Sequence, residues 1–159
     1  MRLMKNINQI LHFWFDICNE QRLEQKNIIS TKMIEKGKIK IEETDDTPLV
    51  DFDIEQNLLR IAGPSFPENA PDFYNPIIAE VCTIDPQSPG KLVIELEFSI
   101  LSSASNKMVY EMLVKLEKIF YLGKAMVIKW IYEGFDEDMV DEGLGYKANL
   151  KIDFELVEK

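Results

Sequence analysis

Residues 91–122 read KLVIELEFSILSSASNKMVYEMLVKLEKIFYL, and the fold turns on how this stretch divides. In its first ten residues Leu92, Ile94, Leu96, Phe98 and Ile100 fall on one face and Glu95, Glu97 and Ser99 on the other, the period of a strand with one apolar side. In its last part Met108, Val109, Met112, Leu113, Leu116, Ile119 and Phe120 recur at three and four, the stripe of an amphipathic helix. A hydroxyl-rich hinge joins the two. Ser102, Ser103 and Ser105 are thus expected where a strand ends and a helix begins, a place whose unpaired N–H groups and positive dipole end favour an anion such as a phosphate.

The remaining 127 residues of the 159 must supply the rest of one core, since a chain of this length suits a single domain. Apolar residues at 46% and charged residues at 29% describe an ordered globule. The net charge of −10 would repel phosphodiester backbones and anionic lipids, so nucleic acids and membrane surfaces are poor partners and proteins better ones. Cys18 and Cys82 form neither a disulfide framework nor a Cys-x-x-Cys pair. No apolar run reaches the roughly 18 residues that cross a bilayer, and 10–18 (ILHFWFDIC) is interrupted by His12 and Asp16 and followed by no cleavage site. The expected location is cytoplasmic.

Upstream of the central stretch, 1–32 forms a preface in which Ile7, Ile10, Leu11, Trp14, Phe15 and Cys18 repeat at helical spacing. It is expected to be a helical extension, docked on the domain or a second copy, or lying before a natural start at Met33. The domain proper is expected over 33–159. Ile39 and Ile41 alternate with lysines, 43–48 (ETDDTP) is a polar break, and 49–53 and 57–62 read as a hairpin that Gly63 and Pro64 end. A helix carrying Phe73, Tyr74, Ile77, Ile78 and Val81 follows, starting near Pro71 or kinked at Pro76. Downstream, Gly123 caps the central helix, 124–132 (KAMVIKWIY) is a buried strand, 133–149 opens a helix on acidic residues, and 150–157 is a last strand. The order implies a single-domain α/β sandwich with a mixed sheet of five to six strands and helices packed on it.

The chemistry of catalysis is sparse. His12 is the sole histidine, so a triad or histidine-rich metal site has no material. Asp136, Glu137, Asp138, Asp141 and Glu142 read first as a solvated helix start, and Gly143 and Gly145 open no nucleotide loop. No catalytic residue, cofactor or metal is expected. A serine before a helix is most simply an N-cap worth about 1 kcal/mol. Three serines and Asn106 within five residues exceed what one cap uses.

Four separated stretches carry a family resemblance. Residues 43–53 (ETDDTPLVDFD), 65–76 (SFPENAPDFYNP), the hinge with its helix, and 130–143 (WIYEGFDEDMVDEG) resemble the signature blocks of the SiaC family of bacterial regulatory phosphoproteins. That family's second block reads Ser-Tyr-Pro-Glu-Asn, matched here by Ser65, Phe66, Pro67, Glu68 and Asn69 with one aromatic exchange. The resemblance implies a non-enzymatic partner switch. A serine/threonine kinase phosphorylates the domain, a metal-dependent phosphatase reverses this, and the unmodified form activates a diguanylate cyclase, feeding cyclic di-GMP signalling and biofilm behaviour. The family's modified threonine lies in an Asn-Thr-Ser-Ser stretch before a lysine. Counting back from Lys107 puts Ser103 at the threonine, Ser102 at the asparagine, Ala104 and Ser105 at the two serines. Ser103 is therefore the expected phosphorylation site ahead of Ser102 and Ser105, with Glu68, Asn69 and Lys107 as partner-binding residues. Two rivals stand beside it: a constitutive interaction or homodimerisation domain, and a hydrolase or transferase using the acidic cluster around Asp136 and Asp138 with a divalent metal.

Overall fold

The structure, a computed structural model, describes residues 32–159. The helical extension expected over 1–32 lies, Lys32 apart, outside the described residues. The elements are β1 (Lys32–Glu35), β2 (Lys38–Ile41), β3 (Leu49–Asp53), β4 (Leu58–Ser65), α1 (Ala70–Val81), β5 (Leu92–Leu101), α2 (Ser103–Tyr121), β6 (Met126–Tyr132), α3 (Glu137–Asn149) and β7 (Asp153–Glu158). They form one mixed sheet in sequential order, β1 to β4 antiparallel and β4 to β7 parallel. The class is the one expected; the strand count is seven rather than five to six. The addition is β1, four residues with no buried side chain, too short and too exposed to show an alternation.

The one-sidedness of the sheet follows from its connections. Each parallel crossover adds the next strand in the same direction, and crossovers of one hand then place α1, α2 and α3 on the same face. Ile39, Phe52, Leu59, Ile61, Ile94, Leu96, Ile128 and Trp130 fill that face, and Tyr74, Ile77, Met112, Leu113 and Leu116 of the helices close on them. Fully burying each aliphatic side chain contributes roughly 1.5–3 kcal/mol, so this layer is the main stabilising term. The opposite face carries the polar positions and no described helix.

Two expectations at the strand ends are corrected, both by one irregularity. β4 runs past Gly63 and Pro64 to Ser65 rather than ending there. Gly63 takes φ +107°, leaving room for the Glu43 carboxylate above it, and the pairing shifts register between Gly63 and Pro64. The pairing with β3 reaches only Ala62, opposite Leu49, so Pro64 has a strand on one side only and its missing N–H costs little. In β5 the same bulge adds Ser99 between Phe98, opposite Gly63, and Ile100, opposite Pro64. One extra residue reverses the alternation. Ile100, expected on the buried face, is 53% exposed, while Leu101 turns toward the core.

α1 starts at Ala70 with Asn69 as its cap and Pro71 in its first turn, and it continues through Pro76. The carbonyl that Pro76 leaves without a donor belongs to exposed Asp72, so the helix needs no break there. At the amino ends of the parallel strands a buried lysine ties three loops together. Lys124, 1% exposed, donates to Asn57 Oδ1 at 2.7 Å, Ser88 Oγ at 2.9 Å, and the carbonyls of Ser88, Pro89 and Gly90 at 3.2 Å. Burial lowers its pKa from the ordinary lysine value, with the Asp85 charge opposing.

Candidate functional site

The carboxyl ends of β4, β5 and β6 form one edge, and in sheets of this kind binding sites collect at such an edge. From it issue the loops to α1, α2 and α3. The 42–48 loop returns to the same edge because Leu49, its first strand residue, pairs with Ala62 near the end of β4. Backbone bonds knit the rim: Phe66 N–H to the Asp46 carbonyl at 2.9 Å, and Ser102 N–H to the Ser65 carbonyl at 2.9 Å. Four stretches scattered along the chain thus become one surface.

The three hinge serines have three different fates. Ser102 is the N-cap of α2, in extended conformation, its hydroxyl oxygen accepting the Ser105 N–H at 3.1 Å. Ser105 is fully buried, with its hydroxyl accepting from Ser102 at 3.1 Å. Ser103, the first residue of the helix, is exposed, and among the described residues its hydroxyl makes no hydrogen bond. α2 is also the one described helix whose first turn carries no carboxylate: α1 has Asp72 there, and α3 has Glu137 and Asp138. An added anion at Ser103 would meet the positive end of the dipole without a built-in competitor.

Beside Ser103 lies a cleft of about 430 Å³ between α2 and α3, lined by Ser103, Asn106, Lys107, Tyr110, Glu142 and Tyr146 among others. Its floor is fixed by hydrogen bonds. Asn106 Nδ2 donates to Glu142 at 2.9 Å, and the Tyr146 hydroxyl donates to the Asn106 side-chain oxygen. Burial, and next the Glu142 charge, push the Tyr146 pKa well above the ordinary tyrosine value, so the hydroxyl stays a donor. Tyr110 stacks on Tyr146 with ring centroids 6.1 Å apart. Lys107 is exposed one turn beyond Ser103.

Of the other expected site residues, Asn69 caps α1 by accepting the Asp72 N–H at 3.3 Å, and Glu68 stands exposed before it. Both lie on the loop that leaves β4 next to the α2 start. The residues that the sequence did not single out are apolar. Phe66 is 42% exposed and Phe135, in the turn before α3, is 85% exposed; with Ile100 they put three large apolar groups on this one rim. A lone phenylalanine between Gly134 and Asp136, in a turn that needs none, was the signal available. Among the described residues no group of three or more His, Cys, Asp or Glu side chains is placed to hold a metal ion. No described helix is long and apolar enough to cross a membrane.

The molecule is a small α/β domain with a one-sided sheet, whose polar, partly apolar rim offers an exposed hydroxyl at a helix start. The chain belongs to the SiaC family: residues 41–159 match the family described as SiaC family regulatory phosphoprotein. It is 25% identical over 113 residues to an uncharacterized protein of Pseudomonas aeruginosa strain UCBPP-PA14, covering 70% of this chain and 88% of that one. Two solved structures share the fold. SiaC of Pseudomonas aeruginosa superposes with a TM-score of 0.70 at 20% identity, over 77% of this chain and 98% of that one. The crystal structure of the diguanylate cyclase SiaD in complex with its activator SiaC, from the same organism, gives 0.70 at 22% identity, over 76% and 98%.

Proposed function

We propose that this chain is a phosphorylation-controlled partner switch that acts by binding rather than by catalysis. Unmodified, its rim docks on an effector; a serine/threonine kinase adds a phosphoryl group to Ser103, and a metal-dependent phosphatase removes it. The observation that carries the reading is the division of labour among the hinge serines. Ser102 is committed to the cap, Ser105 is buried, and Ser103 presents an uncommitted hydroxyl at the helix start. Phosphorylation adds roughly −1.5 to −2 charges to a rim that already holds Glu68, Glu137, Asp138 and Asp141. The backbone N–H groups of the first turn tolerate that charge, so the domain stays folded while its surface becomes more negative locally.

The effector is a diguanylate cyclase, by analogy with the SiaC solved together with one, and the output would be cyclic di-GMP and biofilm behaviour in the cytoplasm of a bacterium. Glu68, Asn69 and Lys107 line the docking rim together with Phe66 and Phe135. Phosphopeptide mapping of the protein from its own cell should find phosphate on Ser103, and a Ser103→Glu variant should bind the cognate cyclase about tenfold or more weakly, the size of a well-placed like-charge contact. Affinity left unchanged by Ser103→Glu and by enzymatic phosphorylation would overturn the switch. The exposed Phe135 favours a second reading, constitutive docking without modification, which that same result would support. A homodimer is compatible with either.

A further inference from the structure

The sheet face opposite the helices carries a charge pattern that the switch does not use. Following the pairing register across six strands, Lys40 of β2 stands opposite Asp51, Asp51 opposite Arg60, Arg60 beside Glu95, Glu95 beside Lys129, and Lys129 beside Glu155. One row across the sheet therefore reads plus, minus, plus, minus, plus, minus. Register partners share a face, and the residues before and after each of these, such as Ile39, Phe52, Leu59, Ile94 and Trp130, fill the helix side. A ladder of this kind could serve only to pair neighbours within its own sheet. Its side chains are not so paired: among the described residues the one ion pair made by any of the six is Arg60 to Glu97 at 3.5 Å, diagonally rather than along the row.

An alternating row with an even number of members has a particular symmetry. Turned about a two-fold axis that runs parallel to the strands between β4 and β5, it lays every charge on its opposite. Lys40 meets Glu155 of a second copy, Asp51 meets Lys129, and Arg60 meets Glu95, each contact occurring twice. No other two-fold in the plane of the sheet does this; an axis along the row sets each charge against itself. One step toward the start of β4, the same operation sets Leu58 on Val93, an apolar contact near the axis. We propose that this open face is a homodimer interface, in which two copies of the chain stack sheet on sheet through the charge ladder.

Size and geometry agree. Six strands at about 4.8 Å and about 17 Å of strand length give a face of roughly 500 Å² in projection, so two faces bury on the order of 1,000 Å², the lower range of specific interfaces. Stacked sheets sit about 10 Å apart and are turned by about 30°, which favours the four inner members of the ladder over the ends. The net charge of −10 opposes association, which makes the dimer weak and concentration-dependent.

The test is sedimentation of the full 159-residue chain over a concentration series, with the variants Asp51→Lys and Lys129→Asp. The wild-type chain should dimerise, and the dimer should weaken at about 1 M salt, where the Debye length falls to about 3 Å. Each variant alone should raise the dimer dissociation constant at least about tenfold, because each sets like charges together twice. An equimolar mixture of the two should recover a heterodimer, since lysines at 51 and 129 of one copy then face aspartates at 129 and 51 of the other. Positions 51 and 129 lie on strands that are not neighbours, so recovery has no explanation within one chain, and an unfolded variant could not give it. A wild-type chain that stays monomeric, variants that dimerise as wild type does, or a mixture that fails to recover would each overturn the proposal, as would residues 1–31 covering the face, whose mark is that same monomer.

Discussion

The Ser102 hydroxyl closes on the backbone N–H of Ser105 at 3.1 Å, and this bond separates the structural serine of the hinge from the one left for chemistry. Replacing Ser102 by Ala removes a helix cap and should cost about 1 kcal/mol in urea unfolding. Ser103→Ala removes an exposed hydroxyl and should change stability by no more than about 0.5 kcal/mol. Phosphate incorporation should follow the reverse order, lost in Ser103→Ala and retained in Ser102→Ala.

Gly143 of α3 lies against Trp130, where a Cβ would stand 2.5 Å from the indole Cδ1. That ring is 1% exposed and held by its Nε1 donating to the Met139 carbonyl at 2.8 Å, so it has no room to yield. Alanine usually stabilises a helix over glycine by roughly 0.5–1 kcal/mol. Gly143→Ala should instead destabilise by about 1–3 kcal/mol through overpacking. Gly145→Ala, two residues on with nothing within 4 Å, should show the ordinary gain. Chemical unfolding of the pair reads both signs.

Burial pushes the Tyr74 hydroxyl up to about 12, partly offset by its hydrogen bond with Ser65 at 2.7 Å. The folded protein holds this proton more tightly than the unfolded chain, whose tyrosine titrates near 10.0. The stabilisation is therefore whole below pH 10 and lost as pH rises through 12. Two units correspond to roughly 2–3 kcal/mol. Relative to Tyr74→Phe, wild type should lose about that much between about pH 9 and 12, a difference that cancels the titration of Lys124 common to both proteins.

Phe135 at 85% exposure does nothing for the core, so Phe135→Ala should leave the melting temperature unchanged. If the rim docks the effector, the same change should weaken binding by about 1–2 kcal/mol, the scale of an aromatic anchor. Tyr121→Ala, 65% exposed at the far end of α2, should leave affinity as it was. Calorimetric titration against the effector distinguishes the two.

The fold was readable wherever periodicity was long. The strand and helix of the central stretch, the buried strand through Trp130 and the glycine after α2 follow from spacing alone, because each spans enough turns or alternations to declare its face. β1 was not readable, since four exposed residues carry no alternation and are a strand only through pairing with β2. Ile100 misled because parity along a strand assumes no bulge, and the bulge at Ser99 depends on Gly63 of another strand. At the rim, a cluster of serines was visible, but not which one was spare: that depends on χ angles and on what covers Ser105. The cleft beside Ser103 required the third dimension, since Asn106 and its partners Glu142 and Tyr146 are some forty positions apart.

The lysine that binds the loops at the amino ends of the parallel strands sits at the end of the sheet opposite the rim. Asn57, Ser88 and Gly90 are clamped there by a single ammonium group, while Ser103, Phe66 and Phe135 occupy the other end. The molecule has an anchored pole and a variable pole. Exposed rim residues such as Phe66, Ser103 and Phe135 can accordingly be exchanged to suit another client, and such grafts should inherit the thermal behaviour of the parent chain.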